Sequence, residues 1–438
     1  MYLLRIEKIT KYLVIPTFSF VIPAKAGIQS KSICIFLIVL LLVPASLPAA
    51  DLSFYKGPES DSTLVNIKGG KVRNIILCIG DGMGANHIAL ARNQTLGQDK
   101  KLHLERLPVL GLVRTHSADA AVTDSAASAT AMACGIKTNN GMLSVAPDGT
   151  AYRTILEILD KKGWRIGLVA TSTITHATPA AFAAHMPSRS QQQQIARQML
   201  DCRVDILLGG GRKYWLPEGY GSGVRTDGQN LLAQAQAGGW QIIETKQQLN
   251  NLPPGPAIGL FANDALTTIE PEPSLSEMAA AAIKLLSSTS KDWFAPEPKF
   301  FVMIEGSQID QAAHANDAER CIRQTLLFDM AVKEALDFAS MDKHTLLIVT
   351  ADHETGGLAL TAGKKDQKIA AYWTSKGHTA AEVPLFAFGP GSENFSGSFD
   401  NTEIPRKIAA LLGLAEFPKQ LEEKTAEEKS PHPASRGG

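Results

Sequence analysis

The sequence predicts an α/β fold, a three-layer α/β/α sandwich around a large, mostly parallel central sheet. Six short apolar runs read as strands buried on both faces, and amphipathic stretches with helical spacing lie between several of them. Doubly buried strands separated by helices argue for a parallel sheet covered on each side. Composition agrees, because 45% of the 438 residues are hydrophobic and 20% are charged, the balance of a globular protein and not of a disordered or fibrous one.

The first fifty residues stand apart. They hold five basic residues and one acidic residue, Glu7, and Lys31 precedes an apolar run from Ile33 to Val43 followed by Pro44 and "ASLPAA" ending at Ala50. Charge, apolar core and small residues in that order are the pattern of a secretory signal peptide, and the apolar run is short for a bilayer span. Residues 1–50 are therefore expected to be a signal peptide with an upstream leader, which implies a periplasmic or secreted protein. An uncleaved anchor is the alternative, and the length before Lys31 raises the case for a start placed too far upstream.

Residues 51–418 are expected to form a single domain. Its strand runs are "NIILCIG" (Asn74 to Gly80), "RIGLVA" (Arg165 to Ala170), "VDILLGG" (Val204 to Gly210), "FFVMIEG" (Phe300 to Gly306), "TLLIVTADH" (Thr345 to His353) and "PLFAFGP" (Pro384 to Pro390). Helical patterns include Ser276 to Ser288 and Ala318 to Ala339. Residues 419–438 carry four basic and four acidic groups with almost no apolar side chain and read as a solvated tail. With 43 basic and 43 acidic residues the chain has no general attraction for nucleic acid or membrane surfaces, so binding must come from a local site. Beyond residue 50 the cysteines are Cys78, Cys134, Cys202 and Cys321, without C-x-x-C spacing, and no disulfide can be assigned.

In an open α/β sheet ligands collect beyond the carboxyl ends of the strands. Residues there include Asp81 in "GDGMG", His176 and Thr178 in "ITHATPA", Glu305, Asp310 and His314 in "EGSQIDQAAH", and Asp352 and His353 in "ADH", while His378 precedes the last strand. Singly, each has a plain reading as a turn or a capped helix end. Together they place Asp, Glu and His at five strand ends or flanks. Imidazole with carboxylate suits zinc, whereas carboxylates with a hydroxyl suit magnesium, and the set is large enough for more than one ion. The stretch "AVTDSAASATAMACG" (Ala121 to Gly135) admits two readings: Asp124 or Ser125 as a helix cap, or Ser125 as a nucleophile at a helix N-terminus that favours anions.

These motifs, with "VTDSAASATAMACGIKTNNG", "TSTITHATPAAFAAHMPSR", "DILLGGGRKYW" and "GHTAAEVPLFAFGPG", resemble the alkaline phosphatases, secreted metal-dependent phosphomonoesterases, over most of residues 51–418. The resemblance implies a catalytic domain that hydrolyses phosphate monoesters through a phosphoserine on Ser125, with two Zn2+, one Mg2+ and an alkaline pH optimum. It implies one zinc on Asp310, His314 and His378, and a second on Asp81, Asp352 and His353 with Ser125. Magnesium would be held by Asp81, Thr178 and Glu305, with His176 reached directly or through water. Arg189 would clamp phosphate by two parallel hydrogen bonds. Small phosphate monoesters are then the partners, and dimers are common in the family.

Gln311, after Asp310, departs from the residue expected in the best-known members. Residues Phe261 to Pro273 match the animal members' calcium segment poorly, so no calcium is expected there. No hydrophobic C-terminal tail of the kind that directs lipid anchoring is read. The rival readings are a phosphodiesterase or sulfatase sharing the metal core, and a non-catalytic phosphate- or metal-binding protein.

Overall fold

The computed structural model describes residues 51–289, 298–361, 363–364 and 368–422. The expected leader, residues 1–50, and all but the first four residues of the tail lie outside them. Fourteen strands are found among the described residues: β1 (Asn74–Gly80), β2 (Val109–Arg114), β3 (Arg165–Thr173), β4 (Ile206–Gly210), β5 (Gln241–Ile243), β6 (Ala257–Leu260), β7 (Phe300–Gly306), β8 (Thr345–Thr350), β9 (Glu354–Thr355), β10 (Leu358–Leu360), β11 (Ala371–Trp373), β12 (His378–Thr379), β13 (Val383–Phe388) and β14 (Gly397–Asp400). Ten of them form one sheet in the order β14-β2-β13-β8-β1-β7-β3-β4-β6-β5. Every ladder in it is parallel except the two made by β13.

The expected runs all appear as strands, with β8 ending at Thr350 and so leaving Asp352 and His353 beyond its carboxyl end. The four central strands β8, β1, β7 and β3 are buried at every position. Phe300 and Phe301 show what covers them, because successive strand side chains point to opposite faces. Phe300 packs on Phe338 of the helix Ala318–Asp342, with ring centroids 5.6 Å apart, and Phe301 packs on Phe182 of the helix Ala177–Ala183 at 5.9 Å. One helical layer therefore lies on each side, which is the three-layer sandwich. Gly306 lets the first layer close in, since a Cβ there would fall 2.8 Å from the Phe328 ring.

Local signals set the helix ends. Ser274 and Glu277 form a capping box at Leu275–Leu286, and Thr154 and Glu157 form another at Ile155–Lys161. The helix Ser125–Cys134 starts at the Asp124 cap and stops at Gly135, whose φ of 70° is the left-handed conformation that glycine adopts freely. All ten of its residues are buried, and eight of the ten are Ala, Ser or Thr, small enough for close packing on both sides. The four cysteines among the described residues are free thiols, three of them buried. No helix among the described residues is long and apolar enough to cross a membrane.

Candidate metal centre and active site

Parallel pairing brings the strand ends together. Glu305 of β7 sits in register between Ile79 of β1 and Ala170 of β3, while Asp81 follows β1 and Asp352 follows β8. Three groups form at this edge, each with ligand atoms within 4.8 Å of one another: Asp310, His314 and His378; Asp81, Asp352 and His353; and Asp81, His176 and Glu305. Asp81 belongs to two of them. The structure thus gathers every Asp, Glu and His that the sequence singled out.

Asp81, Glu305, Asp352 and His353 are at most 1% exposed. Asp310 is 4% exposed, while the His314 and His378 side chains keep 36% and 16% of their exposure and form the open side of the site. Asp310 is positioned by the helix Gln308–His314, which puts His314 one turn on, with Nε2 3.2 Å from Asp310 Oδ2. The His314 Nδ1 faces the Lys376 carbonyl, and His378 Nδ1 lies 2.8 Å from the Thr123 carbonyl, so both rings turn Nε2 toward Asp310. The His353 and His378 rings stack at 3.6 Å. Asp352 Oδ1 accepts hydrogen bonds from the Gly82 and His353 amides at 3.0 and 2.9 Å.

Buried polar atoms are normally paired. Here both oxygens of Asp81, Glu305 Oε1, Asp352 Oδ2, Thr178 Oγ1 and His176 Nδ1 are buried and have no hydrogen-bond partner. Carboxylate oxygens, a hydroxyl and an imidazole nitrogen left free at one place are a donor set that fits cations. The charge balance agrees. Burial, reinforced by the charges of Asp352 and Asp310, raises the Asp81 carboxyl well above its ordinary range, and burial with the charge of Asp352 brings Glu305 to about 7. Burial and the Arg189 charge bring His176 down to about 4, leaving its ring neutral and able to ligate.

Ser125 is the first residue of its helix, 2% exposed, with Oγ 3.2 Å from His353 Nε2. The cap falls to its neighbour: Asp124 Oδ1 accepts from the Ala127 amide at 2.9 Å. Asp124 Oδ2 also holds the Arg189 guanidinium at 2.9 Å, and the other Arg189 terminal nitrogen lies 3.0 Å from His176 Nε2. Gln311 is exposed and its amide donates to Asp310 Oδ2 at 3.3 Å. Sequence reasoning missed the supports: Asp124 as the anchor of Arg189, and Thr355, whose hydroxyl donates to Asp310 Oδ1 at 2.6 Å. The position of Thr355 two residues past His353 was a signal that could have marked it.

A doubly covered parallel sheet with cation-ready groups and a helix-borne serine at its carboxyl edge defines a metal-dependent α/β enzyme. Residues 72–370 and 360–414 match the family model described as alkaline phosphatase. The chain is 34% identical over 427 residues to alkaline phosphatase 4 of Bacillus subtilis (strain 168), spanning 78% of this chain and 89% of that one. The structure of alkaline phosphatase from the Antarctic bacterium TAB5 is similar to it at a TM-score of 0.71 and 37% identity, covering 78% of this chain and 99% of that one. A variant of the TAB5 enzyme with a histidine replaced by glutamate, described with Mg bound in the M3 site, is similar at a TM-score of 0.68 and 36% identity, covering 78% of this chain and 98% of that one. The chain belongs to the alkaline phosphatase family. It is a metal-dependent phosphatase that hydrolyses phosphate monoesters.

Proposed function

We propose that this phosphatase works through a phosphoserine on Ser125, with two zinc ions and one magnesium ion, and that its activity rises toward alkaline pH. The observation that carries this reading is the position of Ser125 Oγ, 3.2 Å from the His353 nitrogen that also faces Asp352 Oδ2 at 3.2 Å and Asp81 Oδ1 at 3.5 Å. The imidazole-rich groups, Asp310, His314 and His378, and Asp81, Asp352 and His353 with Ser125, suit zinc. Asp81, Thr178 and Glu305, completed by His176, suit magnesium. When bound, the ions supply positive charge that acidifies the serine hydroxyl and water and offsets charge on the leaving oxygen.

Ser125 Oγ attacks phosphorus in line, the ester P–O bond breaks, and the alcohol departs. The helix N-terminus and the two terminal nitrogens of Arg189 hold the equatorial phosphate oxygens, where charge accumulates. Water then attacks the phosphoserine, inorganic phosphate leaves, and Ser125 recovers its proton. The signal-like residues 1–50 support a periplasmic or secreted location.

Phosphate release from one aryl monoester and the matching diester, by purified protein loaded with zinc and magnesium, tests the reading. Faster monoester cleavage that a chelator stops is expected. A preference for the diester would overturn the roles of Arg189 and the magnesium group, and cleavage of neither would restore the binding-protein reading.

A further inference from the structure

Ser128 lies one turn after Ser125 and on the same helix face. Its hydroxyl donates to the Asp352 carbonyl at 2.6 Å and accepts from Asn401 Nδ2 at 3.0 Å. Ser128 and Asn401 are each 1% exposed. Asn401 Oδ1 accepts from Lys137 Nζ at 2.7 Å, and Lys137 is paired with Asp400 Oδ2 at 3.0 Å. The Asn401 amide bonds to the Arg114 carbonyl at the end of β2, which fixes its backbone as well.

We propose that Ser128 and Asn401 are positioning residues for the reaction: together they set the spacing between the nucleophile helix and Asp352, so that Ser125 Oγ and Asp352 Oδ2 face the same zinc site. The inference rests on the reading of Ser125 and Asp352 given above. Asp352 is held at Oδ1 by two backbone amides and at its carbonyl by Ser128, which leaves Oδ2 as the side-chain oxygen without a hydrogen-bond partner, facing His353 Nε2 at 3.2 Å. A serine hydroxyl has one hydrogen. Because Asn401 presents a donor to Ser128, that hydrogen is directed to the Asp352 carbonyl and the helix is pinned to the end of β8. Residues that orient ligands and nucleophiles in this way act on metal affinity and turnover more than on substrate binding.

The test uses the zinc- and magnesium-loaded enzyme and two substitutions. Ser128→Ala removes the link. Asn401→Asp keeps an acceptor for Lys137 but offers Ser128 an acceptor in place of a donor, so the hydroxyl hydrogen is contested. Zinc retention against a graded chelator, kcat, KM for an aryl phosphate and thermal midpoint are measured. Each variant is expected to lose about tenfold in zinc retention and in kcat, with KM changed less than about twofold, and the double variant to be no worse than Ser128→Ala alone. Zinc retention and kcat within about twofold of the parent would overturn the inference, whatever happens to the midpoint, because a merely structural contact moves stability only. Ser125→Ala in the same series separates the two readings. If it abolishes turnover while the Ser128 and Asn401 variants match the parent, the positioning role alone fails. If it keeps turnover, the nucleophile reading fails and zinc retention alone decides the role of Ser128 and Asn401.

Discussion

Asp124 takes the capping task that the sequence left open between it and Ser125. Asp124 caps the helix with one oxygen and grips Arg189 with the other, so Ser125 at the first helical position is free for chemistry. Ser125→Ala should therefore leave the helix intact and lower phosphatase activity to less than about a tenth, since loss of a covalent route costs orders of magnitude. Phosphate release by the folded variant checks it. Arg189→Lys keeps the charge but loses the planar pair of donors, and KM for a monoester should rise about tenfold, as loss of one charge-assisted hydrogen bond predicts. The residues that meet at the sheet edge were legible because Asp, Glu and His at strand ends are chemically conspicuous. Their supports were not. Ser128 and Asn401 are common residue types that lie 273 positions apart in the chain, and only the fold brings them together.

Gly82 shows how one backbone position sets the geometry of a whole edge. Its φ is +72°, and a Cβ there would fall 2.8 Å from Thr355 Oγ1 and 2.9 Å from Asp310 Cα, while its amide and carbonyl bond Asp352 and Thr355. Gly82→Ala is expected to cost roughly 1–3 kcal/mol by backbone strain and crowding, read as a lower denaturation midpoint, and to weaken zinc retention as Asp310 is displaced. A second element contact predicts pH dependence. His185, after the helix Ala177–Ala183, sits 3.1 Å from Glu157 of the Ile155–Lys161 capping box. Burial alone would lower the His185 pKa, but the Glu157 carboxylate and the Ser144 carbonyl together raise it above 6.5, while burial of Glu157 is outweighed by His185, the Thr154 amide and Arg153 together, which hold it below 4.5. The histidine contribution is fully present below pH 6.5 and fades as pH rises through the raised value, while that of Glu157 fades only in acid. Urea midpoints measured from pH 6 to 9 should fall by an amount that His185→Gln removes. At this scale the long apolar runs were legible and the rest of the sheet was not. β5, at three residues, is too short to carry a pattern, and β2 alternates exposed Leu110 and Leu112 with buried Gly111 and Val113 near the sheet margin. The reversed direction of β13 leaves no trace in its composition.

Across the whole molecule the sheet is closed at its centre by apolar burial and left polar at one edge. Strands β8, β1, β7 and β3 need no partner beyond the two helical layers, yet their carboxyl ends converge on buried atoms that the chain itself leaves unpaired. Three buried carboxylates, Asp81, Glu305 and Asp352, meet there, and Arg189, the guanidinium whose charge acts on Asp81, is already paired with Asp124. Such an arrangement costs stability in the absence of cations, because burial and mutual repulsion both oppose the charged forms. Cation binding to the folded state alone then stabilises the whole domain by mass action. The three ions proposed above, at about 2.7 kcal/mol each, the value for a hundredfold excess over Kd, against an unfolding entropy of about 0.8 kcal/mol/K for a domain of roughly 370 residues, give a rise in thermal midpoint on the order of 10 °C. Stripping the purified protein with a chelator should lower its calorimetric midpoint by that order, and restoring zinc and magnesium should recover it. A midpoint unchanged by chelation would mean that the orphaned oxygens are satisfied by water or by protonation, and that the edge of the sheet is not held together by metal.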